Sequence, residues 1–379
     1  MAEIIFWLTI GIISYTYFGY PVFIIFLSLF INHKIHKRGV EPNVTFLITA
    51  YNEEKNIAKK LENTLSLDYP KEKLEIVVAS DASEDKTDQI VREFSERGVI
   101  LHRVEGRVGK TETQNQTVKM AKGDIVIFSD ATTQYKKDAL RKIVRNYNDP
   151  SVGAVSGRYE YVNPTGAPVG LGTILFWKYE NSVKSGQTRI ETVTGCCGCI
   201  YSVRKSLYEP LPRDIISDLV EPLKILEKGY RIAFEPEAVA YEETTETSEE
   251  EFGMRVRVIS RGMHGLWYMR RLLNPFNYSF IAFQLFSHKV LRWMIPFLLP
   301  FLLISNLFLV GSPFYTLTFV AQILFYIGAM GGYLLDKMGK KAKLLALPLY
   351  YCVVNAASVA AFFRTIFGKR AIVWETVRK

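Results

Sequence analysis

Cysteine is scarce in this sequence of 379 residues, which contains four. Cys196, Cys197 and Cys199 lie together and Cys352 lies far from them, so their spacing gives no disulfide framework. The run Cys-Cys-Gly-Cys at 196–199 also lacks the second ligand pair that a structural zinc site requires. The sequence therefore argues against both a disulfide-stapled secreted domain and a zinc ribbon.

Charged residues are absent from four long segments, residues 4–31, 294–310, 314–335 and 344–363. The first of these is long enough to cross a bilayer. A hydrophobic content of 49% and a mean hydropathy of +0.07 are high for a soluble domain, because the apolar residues gather at the two ends of the chain. The sequence predicts an integral membrane protein with about four spans in a lipid bilayer.

The first segment lacks the features of a cleaved signal peptide, since Glu3 stands where a basic region is expected and no small-residue cleavage site follows. It ends instead in a basic run at 33–38, which marks the cytoplasmic side of a membrane. We therefore expect a multi-pass protein of the cell membrane whose polar middle lies in the cytoplasm.

The basic tail at 369–379 favours the cytoplasm too, whereas three spans after the middle place it outside. Either the last segment is re-entrant or the tail charges are overridden.

The net charge of +9 suits a protein that lies against a membrane. Its basic residues are interleaved with acidic ones through the middle of the chain, so we expect no nucleic-acid partner.

Predicted strands and helices alternate through the middle of the chain. Apolar runs predict strands at 44–49, 76–79, 99–104, 125–128 and 152–156, with helices between the first four. This order predicts a parallel sheet with crossover helices. Three of the strands are followed by Glu53, Asp81 and Asp130. Because the carboxyl ends of parallel strands share one edge, we expect these carboxylates to converge on a cation and diphosphate site.

The segment Gly-Arg-Val-Gly-Lys-Thr at 106–111 lacks the first glycine of an ATPase phosphate-binding loop, because Val104 occupies that position. Lys110 can still meet a phosphate as a point charge, or it is a solvated lysine at a helix start. Asp218 precedes a helical face, where a capping role and a functional role are both open. Small residues around Gly195 allow a ligand to approach the backbone closely.

Five motifs in this order resemble those of the family 2 inverting glycosyltransferases, the membrane group that includes cellulose, chitin and hyaluronan synthases. The resemblance covers about residues 44–262 and implies an α/β fold, a doubly wound, mostly parallel sheet of the GT-A type flanked by transmembrane helices. We predict a transmembrane helix at 1–33, a cytoplasmic glycosyltransferase domain at 34–275, and an interfacial helix with about three spans at 276–379. The motifs are Thr-Ala-Tyr-Asn-Glu-Glu at 49–54, Ser-Asp at 80–81, Gly-Lys at 109–110 with Gln-Asn at 114–115, Asp-Ala-Thr at 130–132, and Ser-Asp at 217–218.

The resemblance also implies roles for individual residues. Asp218 matches the catalytic base, and Asp130 with Thr132 matches the metal motif, which implies Mg²⁺ or Mn²⁺. Thr132 replaces the family's second aspartate, so weaker metal affinity is expected. The acceptor-binding candidates are Trp177, Gly195, Ser217 and Trp267. The donor-binding candidates are Ala50, Tyr51, Asn52, Glu53, Asp81, Lys110, Asp130 and Arg257.

The family's Gln-x-x-Arg-Trp motif is matched least well. Its best alignment keeps Arg257 but places Met254 for the glutamine and Val258 for the tryptophan. That tryptophan stacks on the acceptor sugar in polymerising members, so its absence puts processive synthesis in doubt.

The resemblance predicts an enzyme that moves a sugar from a nucleoside diphosphate sugar, UDP-linked by expectation, to a saccharide acceptor in cell-surface polysaccharide synthesis. A first alternative is transfer of a single sugar to a polyprenyl phosphate or another lipid. A second is a membrane protein that binds nucleotide sugars without catalysis, which the missing aspartate, glutamine and tryptophan favour.

Overall fold

An eight-stranded mixed sheet forms the centre of the structure, a computed structural model that describes residues 1–368. The strand order is β3-β2-β1-β4-β7-β6-β8-β5. The strands are β1 (Val44–Ala50), β2 (Leu74–Ser80), β3 (Val99–Arg103), β4 (Ile125–Asp130), β5 (Gln134–Tyr135), β6 (Val152–Val162), β7 (Tyr201–Arg204) and β8 (Arg231–Glu243).

Strands β3, β2, β1 and β4 are parallel and occur where the apolar runs predict them. Every residue of β1 is buried, because helices cover both faces of the sheet. Ile48 faces the layer that contains Ile57 and Leu61, whereas Leu47 faces the layer that contains Val118 and Leu223. The doubly wound α/β fold is thus confirmed.

The other half of the sheet contains strands that the sequence analysis missed. β7 runs antiparallel between β4 and β6, β8 pairs parallel with β6, and β5 pairs antiparallel with β8. β5 and β7 are too short to show a periodicity, and β8 is interrupted by Glu235, Pro236 and Glu237, where its register with β6 shifts.

Helices cover the two faces of the sheet and connect its strands. Residues 57, 61, 219, 223 and 226 are buried, as their helical spacing predicts. The helices up to β8 are α1 (Ala2–Ser14), α2 (Tyr20–Phe30), α3 (Ile57–Leu65), α4 (Thr87–Glu93), α5 (Lys110–Met120), α6 (Ala139–Val144), α7 (Pro168–Ile190) and α8 (Ser217–Glu227). Those that follow are α9 (Ser248–Tyr268), α10 (Pro275–Leu285), α11 (Leu291–Leu307), α12 (Pro313–Lys337) and α13 (Ala346–Phe367).

Four helical segments of the described chain are long and apolar enough to cross a membrane. They are Ala2–Phe30, Pro275–Leu307, Pro313–Lys337 and Lys343–Phe367. The segment at 276–290, predicted to be interfacial, forms the first part of the second of these helices. Its Gln284 is buried and donates to the Thr192 carbonyl at 3.0 Å. The basic tail at 369–379, for which the sequence left the side of the membrane open, lies outside the described residues.

The sheet domain and the apolar helices pack closely through α7. A Cβ atom on Gly172 would lie 2.4 Å from Cβ of Tyr350 on α13, and one on Gly186 would lie 2.9 Å from Ile24 on α2. Gln187 also donates to the Tyr20 hydroxyl at 2.8 Å. These two glycines therefore let α7 pack closely against α13 and α2. A cavity remains between the apolar helices.

Candidate active site

A cavity of about 1180 Å³ begins at the carboxyl ends of the parallel strands and continues between the apolar helices. Most of the residues singled out in the sequence contribute to its wall. These are Tyr51, Glu53, Lys110, Asp130, Thr132, Trp177, Gly195, Ser217, Asp218 and Arg257.

Four of the candidate residues do not line this cavity. Trp267 lies in the last turn of α9 with 70% of its surface exposed, outside the wall of this cavity. Ala50 is buried in β1, and the side chain of Asn52 accepts a hydrogen bond from the Glu84 backbone N–H at 2.8 Å. Asp81, the fourth, is buried beneath the loop that precedes α5.

Asp81 anchors the Gly-Lys loop. Its carboxylate accepts the backbone N–H groups of Val108 at 2.8 Å and Gly109 at 3.1 Å, and the Thr113 hydroxyl at 3.2 Å. Gly109 has φ +92°, a conformation that residues with side chains rarely adopt. These contacts fix the start of α5, so Lys110 enters the cavity wall. In this structure Asp81 acts through the loop and does not face the cavity.

Lys110 and Asp130 form an ion pair at the end of β4. Burial lowers the pKa of Lys110, but the Asp130 carboxylate outweighs burial and raises that pKa above its usual value. The lysine therefore carries its charge, and the cavity has a fixed cation where the parallel strands end.

Glu242 is an acidic residue of the site that the sequence analysis did not find. It lies on β8, lines the cavity and accepts the Thr132 hydroxyl at 2.8 Å. The sequence gives no signal for this role, because Glu242 begins an acidic run that is typical of an exposed surface. Its contact with Thr132 gives the site a second carboxylate where the motif at 130–132 lacks one.

Lys60 supports the turn after Asp130 from below. Its side chain is fully buried, and Nζ donates to the Thr133 carbonyl at 2.7 Å beneath the Tyr135 ring. Burial lowers the pKa of Lys60 to about 7, partly offset by the negative charges of Asp130 and Glu242. The sequence did not indicate this role, since Lys60 follows no motif and lies on a helix.

Asp218 lies in the first turn of α8 and is not the helix cap, because Ile216 occupies the cap position. Its backbone carbonyl accepts the Cys196 N–H at 3.0 Å. Its Oδ1 atom is buried and has no hydrogen-bond partner in residues 1–368. A Cβ atom on Gly198 would lie 2.6 Å from Oδ2, so the glycine leaves the space that this carboxylate occupies.

Electrostatics around Asp218 suit a proton acceptor. Burial raises the pKa of its carboxyl and Asp130 adds to that effect, while Lys110, Arg261 and Lys289 oppose it. The net result is a pKa above the usual aspartate value. A carboxylate with a raised pKa and a buried oxygen that accepts no hydrogen bond can take a proton from a hydroxyl group.

Two hydrogen bonds bring the Gly-Lys loop and Asp218 together. The Thr111 hydroxyl donates to the Ile215 carbonyl at 2.6 Å, and Arg261 donates to the same carbonyl at 2.9 Å. Helices α5, α8 and α9 therefore meet at this side of the cavity.

Residues 45–211 match the family model described as "Glycosyl transferase family 2". These residues resemble a family 2 glycosyltransferase domain, and we call this region the glycosyltransferase domain. The match begins in β1 and includes the Asp81 loop, Lys110 and the Asp130 turn. Asp218, Glu242 and Arg257 follow the matched residues and line the same cavity from α8, β8 and α9.

Two bacterial proteins resemble the chain over the glycosyltransferase domain. One is "Probable glycosyltransferase YdaM" of Bacillus subtilis (strain 168), 30% identical over 230 residues, which cover 57% of this chain and 54% of that protein. Another is "Poly-beta-1,6-N-acetyl-D-glucosamine synthase" of Staphylococcus aureus (strain COL), 31% identical over 221 residues, or 56% and 53%. The chain thus matches about half the length of these curated relatives.

A solved structure shares the fold along nearly the whole chain. It is that of mannosyltransferase PcManGT from Pyrobaculum calidifontis in complex with GDP-Man and Mn²⁺, at 21% identity and a TM-score of 0.74, covering 97% of this chain and 100% of that one. The shared fold therefore includes both the glycosyltransferase domain and the apolar helices.

Proposed function

We propose that this protein transfers a sugar from a nucleoside diphosphate donor to an acceptor hydroxyl, with inversion at the anomeric carbon. The observation that carries the proposal is Asp218, whose unpartnered Oδ1 lies in the same cavity wall as the Lys110–Asp130 pair. A cation for a diphosphate and a base for a hydroxyl are the two groups that a single displacement needs.

The donor site lies at the carboxyl ends of β1 and β4, where ligands bind in open α/β sheets. Tyr51 and Glu53 line one side of the cavity, and Lys110 and Arg257 supply positive charge. A UDP-linked sugar is the expected donor, and the named product of the Staphylococcus aureus relative, a polymer of N-acetylglucosamine, is consistent with it. The PcManGT complex contains GDP-Man, so both UDP- and GDP-linked sugars have to be tested as donors.

Asp218 removes the proton of the acceptor hydroxyl as its oxygen attacks the anomeric carbon. The bond from that carbon to the diphosphate oxygen breaks, and the nucleoside diphosphate leaves. Lys110 and Arg257 stabilise the negative charge that develops on the leaving group. Because attack and departure take place on opposite faces in one step, the configuration inverts.

A divalent cation fits the oxygen atoms of the site. Within the described chain no group of three or more His, Cys, Asp or Glu side chains is arranged to hold a metal. Asp130 and Glu242, with Thr132 between them, still supply the oxygen ligands that Mg²⁺ and Mn²⁺ accept. These residues would hold the ion beside the diphosphate, where it would add positive charge as the leaving group departs.

Removal of the base tests the proposal. Asp218→Asn should lower the release of nucleoside diphosphate by about 10²- to 10⁴-fold, because general-base catalysis contributes that much. Donor binding should persist, since Asp218 belongs to the acceptor side. A panel of UDP- and GDP-sugars with the purified full chain gives both measurements. Asp68→Asn, which changes an exposed aspartate in an ion pair with Arg141, is the matched control. Full turnover by Asp218→Asn would remove Asp218 from the mechanism.

The four apolar helices support a multi-pass protein of the cell membrane with its glycosyltransferase domain in the cytoplasm. The basic run at 33–38 follows the first of these helices and supports that orientation.

A further inference from the structure

Three cysteines, Cys196, Cys197 and Cys199, lie in the cavity wall, and the proposed function gives none of them a chemical role. None of the three forms a disulfide in the described chain. No group of three or more His, Cys, Asp or Glu side chains in residues 1–368 is arranged to hold a metal, so these cysteines do not form a metal site there. Cys197 differs from the other two by a charged neighbour.

Cys197 contacts a buried ammonium group. Lys184 of α7 is buried, and its Nζ donates to the Cys197 sulfur at 3.1 Å. Burial lowers the pKa of Lys184, but the Cys197 sulfur, with a contribution from Glu180, outweighs burial and raises that pKa above its usual value. The lysine is therefore charged, and the sulfur is its hydrogen-bond acceptor. A lysine ammonium stabilises a neighbouring thiolate, which is the nucleophilic form of cysteine.

The other charged groups near this pair act mainly elsewhere. Glu180, one turn before Lys184 on α7, accepts from Arg292 at 2.6 Å. Lys289 also lines the cavity, and its charge lowers the pKa of Asp218, which burial raises. Lys184 is thus the cation that contacts the thiol, and Lys289 is one of the cations that act on the proposed base.

The two neighbouring cysteines have a different environment. Neither Cys196 nor Cys199 makes a side-chain hydrogen bond to a lysine within residues 1–368. Burial raises the pKa of both thiols well above the usual value, and in Cys196 it outweighs the opposing charge of Lys184. Both side chains therefore remain protonated near neutral pH, and Cys197 is the candidate nucleophile among the three.

The residues on either side of Cys197 contact Asp218. The Cys196 N–H donates to the Asp218 carbonyl at 3.0 Å, and a Cβ atom on Gly198 would lie 2.6 Å from Asp218 Oδ2. The contact of 3.1 Å between Lys184 Nζ and the Cys197 sulfur leaves no room for a further atom. An oxygen bound to this sulfur must therefore separate the pair or project into the cavity, and either change alters the surroundings of Asp218.

We propose that Cys197 is a modification site, a thiolate that hydroperoxides oxidise to a sulfenic acid, and that this oxidation switches off the base at Asp218. The sulfur attacks the terminal oxygen of the hydroperoxide, so a sulfur–oxygen bond forms as the oxygen–oxygen bond breaks. The other oxygen leaves with the electron pair and takes up a proton from solvent, which gives water or an alcohol. The sulfur loses the two electrons that the peroxide gains.

The oxidation is reversible. Two thiol molecules reduce the sulfenic acid to cysteine, form a disulfide between themselves and release water. The effect on Asp218 rests on the proposed function, whereas the oxidation of Cys197 does not.

Alkylation of the purified full chain by iodoacetamide at pH 7 tests the thiolate, with peptide mass spectrometry to measure the rate at each cysteine. Cys197 should react about tenfold faster than Cys196, because an ordinary thiol is only a few per cent ionised at this pH. Lys184→Gln should slow the reaction at Cys197 about tenfold, whereas Lys178→Gln, which removes an exposed lysine from the same helix, should not. A rate at Cys197 no higher than at Cys196, or equal rates at Cys197 in the two lysine variants, would overturn the assignment.

Hydrogen peroxide tests the oxidation and needs no substitution at Lys184. Dimedone, a reagent that traps sulfenic acids, should add to Cys197 of the treated full chain, and no addition there would overturn the proposal. Release of nucleoside diphosphate should fall about tenfold or more, because small displacements near a catalytic group have effects of that size, and dithiothreitol should restore it. Cys197→Ala should keep most of its own untreated rate after peroxide. An equal fractional loss in Cys197→Ala would overturn the switch.

Failure of this inference is distinguishable from failure of the proposed function, because alkylation and dimedone labelling require no donor turnover. If Cys197 is not labelled while Asp218-dependent release of nucleoside diphosphate persists, the modification site fails and the transferase proposal stands. If Cys197 is labelled but no donor is turned over, the modification site stands and the proposed function fails.

Discussion

Gly198 illustrates how a residue without a side chain fixes the position of a functional group. Its φ/ψ conformation is not the reason for the glycine, because its φ is not in the left-handed region. The reason is space, since a Cβ atom on Gly198 would lie only 2.6 Å from Asp218 Oδ2. The Cys-Cys-Gly-Cys run thus shapes the base site, and neither the disulfide nor the zinc interpretation of its cysteines is needed.

Gly198→Ala should displace the Asp218 carboxylate and lower kcat about 100-fold, as a misplacement of about 1 Å does in other enzymes. The KM for the donor should change little, because the donor side lies across the cavity. Steady-state kinetics check this, with Gly39→Ala, a change into open space, as the control. A kcat equal to that of the control would mean that Asp218 adjusts without loss.

Arg261 is one of the cations that affect the pH at which Asp218 loses its proton. Its positive charge lowers the pKa of Asp218, which burial raises. Arg261→Gln removes that charge, so the pKa of Asp218 should rise further. Since the base must be ionised, activity is lost as the pH falls through this pKa, and the acid limb of the kcat profile should move to higher pH. Arg261→Lys keeps the charge and should restore the limb. An identical limb in the Gln and Lys variants would exclude this electrostatic role.

At the scale of elements, the site depends on where α5 begins. The loop before this helix has no regular structure of its own, and Asp81 at the end of β2 holds it through buried backbone N–H groups. Asp81 at the end of β2 therefore fixes where the helix after the Gly-Lys pair begins. This structural role is separate from the ligand-binding role that the motif predicts.

Asp81→Ala should loosen this loop, because the backbone N–H groups of Val108 and Gly109 lose their acceptor at about 1–3 kcal/mol for each group left unsatisfied. Amide hydrogen exchange at 106–110 should accelerate, and the KM for the donor should rise as Lys110 loses its fixed position. Asp124→Ala, at the opposite end of β4, is the control for removal of an aspartate that also accepts from backbone. Unchanged exchange at 106–110 would contradict the anchoring role.

At the scale of the molecule, the glycosyltransferase domain and the apolar helices are packed as one unit through α7. Gly172 is a point of closest approach, and it also lies on the cavity wall. The cavity requires this packing, because its lining comes from both parts.

Gly172→Val should drive α7 away from Tyr350 on α13. Overpacking of this kind costs about 1–3 kcal/mol, which for a chain of this size corresponds to a fall in Tm of roughly 1 °C for each kcal/mol. Thermal unfolding in detergent measures the change. Gly253→Val, whose Cβ atom meets nothing within 4 Å, is the control. Equal Tm values for the two variants would show that α7 and α13 separate without cost.

The parallel strands could be predicted from the sequence because strands buried on both faces appear as continuous apolar runs, as β1 and β4 do. The apolar helices and the motifs could also be predicted, since each of them is a continuous segment of the sequence. β7 and Glu242 were not predicted, because a four-residue strand has no period and a surface-like acidic run gives no sign of facing inward.

The sequence by itself therefore determined the α/β class and the candidate spans, because local patterns encode them, whereas the roles of Asp130 and Asp218 came from the family resemblance and stay predictions. Only the tertiary structure decided that Asp81 contacts a loop, that Trp267 lies outside the cavity wall, and that Glu242 contacts Thr132. It also brought together Glu180 and Arg292, which are 112 residues apart. The physical reason is that burial and charge pairing depend on contacts between distant segments, which no local pattern contains.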